Sequence, residues 1–205
     1  FGVFLGGSNF IGDVGATSHI SPNQLAIGGI YKWNRSPRHS YRISVIFTEL
    51  EGKDINSKDP RRIQRDYNFT NQIIEISAGM EFTFLDFNLH SGKKMSTPYL
   101  YSGISVFNMD DTYFLNDAQT SQNSSSWNFG IPMVLGFKTN FLGSFIVGIE
   151  VGARYTFTDN IDGSYPKDDS LQNFRFGNQN NNDWYTFTGI TLTYTFGENP
   201  CYCPQ

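Results

Sequence analysis

Charged residues that could do chemistry occur inside segments whose side chains otherwise alternate between apolar and small types. Four are basic and three are acidic, and all take the small, polar set of positions. Charges of both signs in one enclosed interior should pair, because an unpaired buried charge is costly. The alternatives are an interior sealed by ion pairs and a path for protons or ions. The residues are Lys32, Arg42, Glu75, Glu81, Lys138, Glu150 and Arg154.

The histidines give no sign of catalysis. His19, His39 and His90 lie in three different connecting segments, and no Ser/His/Asp trio can be placed together. The His/His or His/Cys spacing of a metal site is missing as well. We therefore expect no enzymatic activity, no cofactor and no metal.

One acidic motif resembles part of a calcium loop. Asn160, Asp162 and Gly163 have suitable residue types, but Thr158 takes the first ligand position. No glutamate follows at the distance that such a loop requires. We interpret the segment as a polar outer loop.

Strands with period-two alternation must position the seven charges. In residues 145–158, apolar side chains from Phe145 to Phe157 share one face, while Glu150 and Arg154 share the other. Residues 25–33, 41–48, 74–84, 127–138 and 184–196 repeat this pattern, and two further strands are expected at 1–7 and 98–108. Pro132 cannot donate to a strand ladder and predicts a local bulge.

The polar faces separate a membrane barrel from a soluble sandwich. They are rich in glycine and serine and poor in charge, which suits the crowded lumen of a narrow barrel. The apolar faces carry Trp, Tyr and Phe near their ends, as lipid-facing strands do. We predict an all-β fold, a transmembrane antiparallel β-barrel of about eight strands filled by side chains. The barrel is expected over residues 1–197, followed by a periplasmic C-terminal tail over residues 198–205.

The predicted connections alternate in length. Long, polar ones are expected near residues 8–22, 51–68, 110–125 and 159–183, and short ones near 34–39, 86–97 and 139–144. Long extracellular loops that alternate with short periplasmic turns are typical of outer-membrane barrels. An even number of strands would place both chain ends on the periplasmic side.

Composition narrows the class of protein further. The chain has 205 residues with 19 Phe, 11 Tyr and 20 Gly, and its net charge is -4. This charge argues against nucleic acid as a partner. The sequence has no run of 18 apolar residues that would form a transmembrane helix. Because it opens at Phe1 without a charged and apolar leader, we interpret it as a mature chain whose export signal was removed.

Several motifs, taken in order along the chain, resemble the PorG family. This family comprises outer-membrane barrels of the type IX secretion system, found in gliding and protein-secreting Gram-negative bacteria. The similarity covers essentially the whole chain. The motifs are residues 4–15 (FLGGSNFIGDVG), 31–39 (YKWNRSPRH), 150–159 (EVGARYTFTD) with Asp162 and Gly163, 182–185 (NDWY), 189–197 (GITLTYTFG) and 201–203 (CYC).

The resemblance implies a structural role in the bacterial outer membrane. The barrel would anchor a periplasmic ring built from a PorK-like lipoprotein and a PorN-like protein, which correspond to GldK-like and GldN-like proteins in gliding relatives. The family supplies no catalytic residues. Two basic periplasmic connections would then face the ring. The alternative is that these cations flank outer-membrane lipid at the inner leaflet. The residues are Arg35, Arg38, His39, Lys93 and Lys94.

Cys201 and Cys203 lie in the tail, and the rest of the chain has no cysteine. In an oxidising compartment free thiols tend to be used, and cysteines one residue apart can join only in a strained ring. Given the resemblance, an intermolecular disulfide to a ring subunit, the PorK-like lipoprotein above all, is one alternative. A local disulfide and reduced or metal-bound thiols are the others.

Two other classes of function stay open at this point. The chain could be a small outer-membrane enzyme or lipid modifier. It could also be an adhesin-like barrel that acts through its outer loops.

Overall fold

The computed structural model describes residues 1–88, 94–142, 144–178 and 180–196. Each strand pairs antiparallel with its neighbours in sequence, and β1 pairs with β8 to close the barrel. The predicted all-β barrel of about eight strands is therefore confirmed. The strands are β1 (Gly2–Ile11), β2 (Gln24–Asn34), β3 (His39–Lys53), β4 (Asn68–Thr83), β5 (Ser96–Leu115), β6 (Ala118–Leu142), β7 (Phe145–Thr156) and β8 (Trp184–Tyr194).

The two ends of the barrel differ in their connections. The segments after β2, β4 and β6 lie at one end, which we call the turn end. The segments after β1, β3, β5 and β7 lie at the opposite, loop end. They include residues 12–23, residues 54–67 with helix α1 (Pro60–Arg65), and residues 157–183; short 3₁₀ helices span Asp54–Asn56 and Asp169–Phe174. Within the described ranges, no helix is long and apolar enough to cross a membrane.

The outer wall is an apolar belt bordered by aromatic rings. Side chains such as Leu5, Ile104 and Ile149 are 59%, 66% and 60% exposed, which water would not favour. Aromatic rings touch each other at both borders, for example Phe1 and Tyr31 at the turn end and Tyr155 and Trp184 at the loop end. Such a belt with two girdles is the lipid-facing surface of a membrane barrel. Its turn-end ring includes Phe1, Tyr31, Trp33, Tyr41, Phe145, Tyr194 and Phe196, and its loop-end ring includes Trp127, Phe129, Tyr155, Phe157 and Trp184.

The segment 110–125, predicted to be a loop, is instead a continuation of the β5–β6 hairpin, so that prediction was wrong. β5 and β6 pair as far as Leu115 and Ala118. Asn116 and Asp117 both have positive φ, 49° and 65°, as the two-residue turns that match strand twist require. The alternation was hard to see here because polar residues predominate on both faces, and Tyr113, Phe114 and Leu115 are consecutive.

Pro132 causes no register shift, so the predicted bulge was also wrong. The pairs Ser102–Met133 and Ser105–Gly130 keep one register across it. The observed irregularities lie between Asp110 and Thr112, and near Asn140. The missing N–H of Pro132 faces β5, where it only removes ladder bonds.

Glycines of the inner wall make room for the large polar side chains of the lumen. A Cβ atom on Gly136 would lie 2.3 Å from the ring of Tyr99, and one on Gly152 would lie 2.5 Å from Nη1 of Arg154. Atoms cannot approach so closely, so these positions accept no larger residue without displacing those groups. The glycine-rich inner faces of the sequence follow from this crowding.

We expect Ile149→Arg, in the middle of the apolar belt, to destabilise the barrel by roughly 2–4 kcal/mol, because a guanidinium at the bilayer midplane loses its hydration. The matched control is Tyr194→Arg, in the turn-end ring, for which a cost of about 0–1 kcal/mol is expected. Reversible denaturant unfolding in lipid vesicles measures both. Equal costs at the two positions would show that the belt does not lie where the apolar face places it.

Candidate functional site

Arg42 on β3 pairs with Glu150 on β7 across the turn-end half of the lumen. Its Nη1 and Nη2 atoms donate to the two carboxylate oxygens at 2.7 and 2.9 Å. The Tyr99 hydroxyl donates to Glu150 Oε2 at 2.6 Å, and the guanidinium lies 4.7 Å from the ring centre of Tyr101. This bidentate, aromatic-flanked pair neutralises both charges away from water.

Arg154 on β7 makes the corresponding pair with Glu75 on β4, nearer the loop end. Its Nε lies 3.3 and 3.2 Å from the two Glu75 oxygens, and Nη1 donates to the Gly152 carbonyl at 2.9 Å. The Tyr185 hydroxyl donates to Glu75 Oε2 at 2.6 Å, while the guanidinium lies 4.4 Å from the Phe187 ring centre. A carboxylate shared by an arginine and a tyrosine is thus a repeated unit of this lumen.

Glu81 on β4 is shared by two lysines instead. Lys138 Nζ donates to Glu81 Oε1 at 2.6 Å, and Lys32 Nζ lies 2.7 Å from Oε2. The Lys32 contact is an ion pair that lacks the geometry of a hydrogen bond. The structure thus brings all seven charged residues identified in the sequence into one lumen network, grouped around three carboxylates.

Side chains fill the lumen on both sides of these pairs. Toward the loop end, Phe10 meets Phe69 edge to face at 4.7 Å and joins a buried apolar cluster that includes Phe4, Ile46, Leu50, Ile73, Phe107, Met109, Phe114 and Ile161. At the turn end, Phe87 is 6% exposed, lies 4.9 Å from Lys138 Nζ and donates its N–H to the Pro37 carbonyl at 3.0 Å. The interior is a packed core, which suits a barrel of about eight strands.

Buried carboxylates organise the segments above the loop end into a cap. Asp162 accepts the N–H groups of Asp13 and Val14 at 3.0 and 2.9 Å, and that of Ser164 at 3.0 Å. Asp54 accepts the Gly15 N–H at 2.8 Å and a bond from Arg65 at 2.7 Å. These bonds tie the segments after β1, β3 and β7 together, so the loop end is closed as well.

Acidic groups of the cap repel one another. Burial and the charges of Asp13 and Asp162 raise the pKa of Asp159 to about 7. Burial, with Asp162 the nearest like charge, raises the pKa of Asp183 well above its ordinary value. Of these carboxylates Asp13 has a cation beside it, Arg62, whose Nη2 lies 3.9 Å from Asp13 Oδ1. Protonation of these carboxyl groups therefore stabilises the folded cap.

The predicted partner-binding residues are only partly described. Arg35, Arg38 and His39 lie at the turn end, exposed, and Lys94 is exposed there too. Arg38 pairs with Asp86 at 2.5 Å, with both side chains more than half exposed. Lys93, Cys201 and Cys203 lie outside the described residues, so the disulfide alternatives stay predictions.

The histidines of the described ranges lie at opposite ends of the barrel. His19 lies in the loop-end segment after β1 and His39 at the turn end, while His90 is outside the described residues. No set of three or more His, Cys, Asp or Glu side chains there is arranged to hold a metal ion. What the arrangement can do is seal and stiffen a membrane barrel that presents a basic surface at its turn end.

Sequence reasoning missed Tyr99, Tyr185 and Phe87. The tyrosine hydroxyls complete the coordination of two lumen carboxylates, and Phe87 packs against Lys138 at the turn end. The alternation of residues 184–196 predicts that Tyr185 lies on the inner face, and this is the one feature of the sequence that points to its role. Phe87 lies in a turn, where no periodicity indicates direction.

Comparisons with known proteins agree on the fold. The family model described as "Domain of unknown function (DUF6089)" matches residues 1–205, and no curated protein matches the sequence. The crystal structure of Ail, the attachment invasion locus protein of Yersinia pestis, in complex with the heparin analogue sucrose octasulfate has a TM-score of 0.50 at 10% identity, covering 94% of each chain. Another Ail structure has a TM-score of 0.48 with the same identity and coverage. The first likeness shows a shared fold, that of an eight-strand outer-membrane barrel.

We expect Arg42→Met to destabilise the barrel by about 3–5 kcal/mol, because Glu150 is then left buried without a cation. The double variant Arg42→Met, Glu150→Leu should recover most of that loss. Denaturant unfolding in vesicles completes the double-mutant cycle, with Lys94→Met as an exposed control. A double variant as unstable as the single one would mean that packing, and not charge, is what Arg42 supplies.

The raised pKa of Asp159 predicts how the cap responds to pH. The folded cap holds a proton that the unfolded segment releases near its ordinary pKa of 3.8. This contribution to stability is complete below that value and is lost as pH rises through about 7. Amide protection factors of residues 157–183, corrected for intrinsic exchange, should fall between pH 5 and pH 8.

Asp159→Asn should remove much of that fall. Asp168→Asn is the matched control, since Asp168 is on the same segment, is exposed and has a lowered pKa. Protection that declines equally in both variants would contradict the assignment to Asp159.

Proposed function

Since this chain belongs to the DUF6089 family, a family without an assigned function, we propose a function from its own geometry. The protein is a sealed outer-membrane barrel that serves as a fixed attachment point for a periplasmic ring of the type IX secretion system. The observation that carries the proposal is a lumen filled by ion pairs and apolar side chains, together with a basic surface at the turn end. A sealed barrel transports nothing through itself, so its contribution lies in what it holds.

Orientation follows from the connections. Outer-membrane barrels place long loops outside the cell and short turns in the periplasm. The turn end therefore faces the periplasm, and the polypeptide leaves β8 on that side. A ring beneath the membrane would meet Arg35, Arg38 and Lys94 directly.

Charge at the turn end favours an acidic partner surface. The exposed cations Arg35, Arg38 and Lys94 stand against one exposed carboxylate, Asp86, in the described turns. Complementary charge across an interface directs association and selects the partner more than it adds affinity. The alternative role, contact with lipid phosphates, uses the same side chains and is separated from the first by the experiment below.

The identity of the ring is supported by the resemblance to the PorG family alone. By that resemblance, the partners are a PorK-like or GldK-like lipoprotein and a PorN-like or GldN-like ring protein. Cys201 or Cys203 would add an intermolecular disulfide to one of them. We propose no catalytic role for the chain.

An adhesin-like function through the loop end is the second candidate. The printed description of the Ail complex concerns a heparin analogue bound to that protein, and at 10% identity the likeness carries the fold only. In this chain the exposed charges at the loop end are of both signs, with Asp66, Asp110 and Asp117 beside Lys53, Lys58 and Arg61. A polyanion would meet no uniformly basic surface there, whereas the described turns carry three exposed cations against one carboxylate. The periplasmic role is therefore the better supported.

We expect Arg35→Glu, Arg38→Glu and Lys94→Glu together to reduce recovery of ring subunits with the tagged barrel by roughly tenfold, which corresponds to about 1.4 kcal/mol. Reversing the charge replaces attraction with repulsion while leaving the lumen intact. Quantitative co-purification from detergent-solubilised envelopes measures this. Arg61→Glu, an exposed reversal at the loop end, is the matched control. If the triple variant recovers as much ring protein as wild type, these cations contact lipid phosphates and not the ring.

A further inference from the structure

Among the described residues, the lumen holds four cations and three carboxylates. Arg42 and Arg154 each have a carboxylate of their own, whereas Lys32 and Lys138 divide Glu81 between them. A buried charge without a counterion is costly. The surplus positive charge therefore calls for a further acidic partner that can reach these two lysines.

The two lysines that share Glu81 are more exposed than the two lumen arginines. The side chains of Arg42 and Arg154 are 0% and 1% exposed, while those of Lys138 and Lys32 are 7% and 9% exposed. Both lysines lie near the turn ends of their strands, since Lys32 is two residues before the end of β2 and Lys138 is four before the end of β6. The uncompensated charge thus lies at the turn-end mouth.

Donors are also left over at this mouth. Lys138 spends one donor on Glu81 and lies beneath the Phe87 ring. Lys32 makes its ion pair without a hydrogen bond to that oxygen, although an ammonium carries three N–H donors. The ammonium of Lys32 can accordingly take an additional acceptor without releasing Glu81.

We propose that Lys32 and Lys138 form a receptor, at the periplasmic mouth of the lumen, for a carboxylate side chain of an acidic segment of the ring partner. This inference rests on the proposed function and names the chemistry of its contact. A carboxylate would bring the charges of the described lumen residues to four against four and would give Lys32 a second acidic partner beside Glu81. The exposed cations Arg35 and Lys94 would guide the same acidic segment toward the mouth.

The position of the lysines selects a polypeptide and not a lipid as the occupant. Both side chains point into the lumen, as their pairs with Glu81 require, so the barrel wall separates them from the bilayer. Lipid phosphates lie outside that wall. A protruding acidic side chain of a ring subunit can enter from below.

The direct test uses the purified barrel in lipid nanodiscs and a fluorescent hexaglutamate peptide as the probe. Wild type should bind it with an affinity that falls as salt rises, and hexaglutamine should not bind. Lys32→Gln and Lys138→Gln should each weaken binding at least tenfold, whereas Lys32→Arg should retain it. Arg61→Gln at the loop end is the control and should bind like wild type. Equal binding by wild type and Lys32→Gln would overturn the proposal.

Folding does not confound this test, because Glu81 keeps one lysine in either glutamine variant. The heat-dependent shift of folded barrels on gels verifies each preparation. Two further results would also overturn the proposal. Tighter peptide binding by Glu198→Gln would mean that the chain's own Glu198 supplies the carboxylate. Loss of peptide binding in nanodiscs with anionic lipid would assign the lysines to lipid.

Failure of this inference and failure of the proposed function can be distinguished. In one outcome, ring subunits co-purify equally with wild type and Lys32→Gln, and the barrel does not bind hexaglutamate. The receptor proposal would then be wrong, while the proposed anchoring function would stand. In the other outcome, hexaglutamate binding depends on Lys32, but no ring subunit co-purifies with the barrel. The carboxylate receptor would then stand, and the proposed attachment to the type IX secretion ring would be wrong.

Discussion

A narrow lumen has little room for water, so a charged side chain inside it is stable only when a side chain of opposite charge lies beside it. The rest of this barrel follows from that constraint. Glycines at positions such as 136 and 152 are small because tyrosine and arginine side chains occupy the space beside them. Tyr99 and Tyr185 point inward because the carboxylates need more than one donor. The outer wall can then be uniformly apolar, since the polar requirements are met inside.

The architecture could be predicted from the sequence because its signal is local. In residues 145–157 every second side chain is apolar, and this period identifies a strand and its two faces without knowledge of its neighbours. The presence of both signs of charge on the inner faces likewise predicted pairing. Which residues pair could not be predicted. Arg42 and Glu150 are 108 residues apart, and their meeting depends on the tilt and stagger of the closed barrel.

Elsewhere the sequence carried no such signal. The upper β5–β6 hairpin is rich in Asp, Asn, Ser and Thr, so composition indicated a loop where backbone pairing continues. The order of the cap depends on Asp162, whose carboxylate accepts the N–H groups of Asp13 and Val14, nearly 150 residues earlier in the sequence. Phe87 packs against Lys138 from within a turn. Each of these features depends on three-dimensional contacts that no periodicity encodes.

The ion pairs also bear on how the chain reaches its folded state. None of them joins neighbouring strands: Arg42 on β3 meets Glu150 on β7, Arg154 on β7 meets Glu75 on β4, and Glu81 on β4 meets lysines of β2 and β6. Hairpins that form early cannot satisfy these charges, because each partner is on a strand that arrives later. Contacts of such high sequence separation form late and slowly. Closure of the sheet and neutralisation of its interior therefore coincide, so a partly assembled sheet still carries unpaired charges on its inner face.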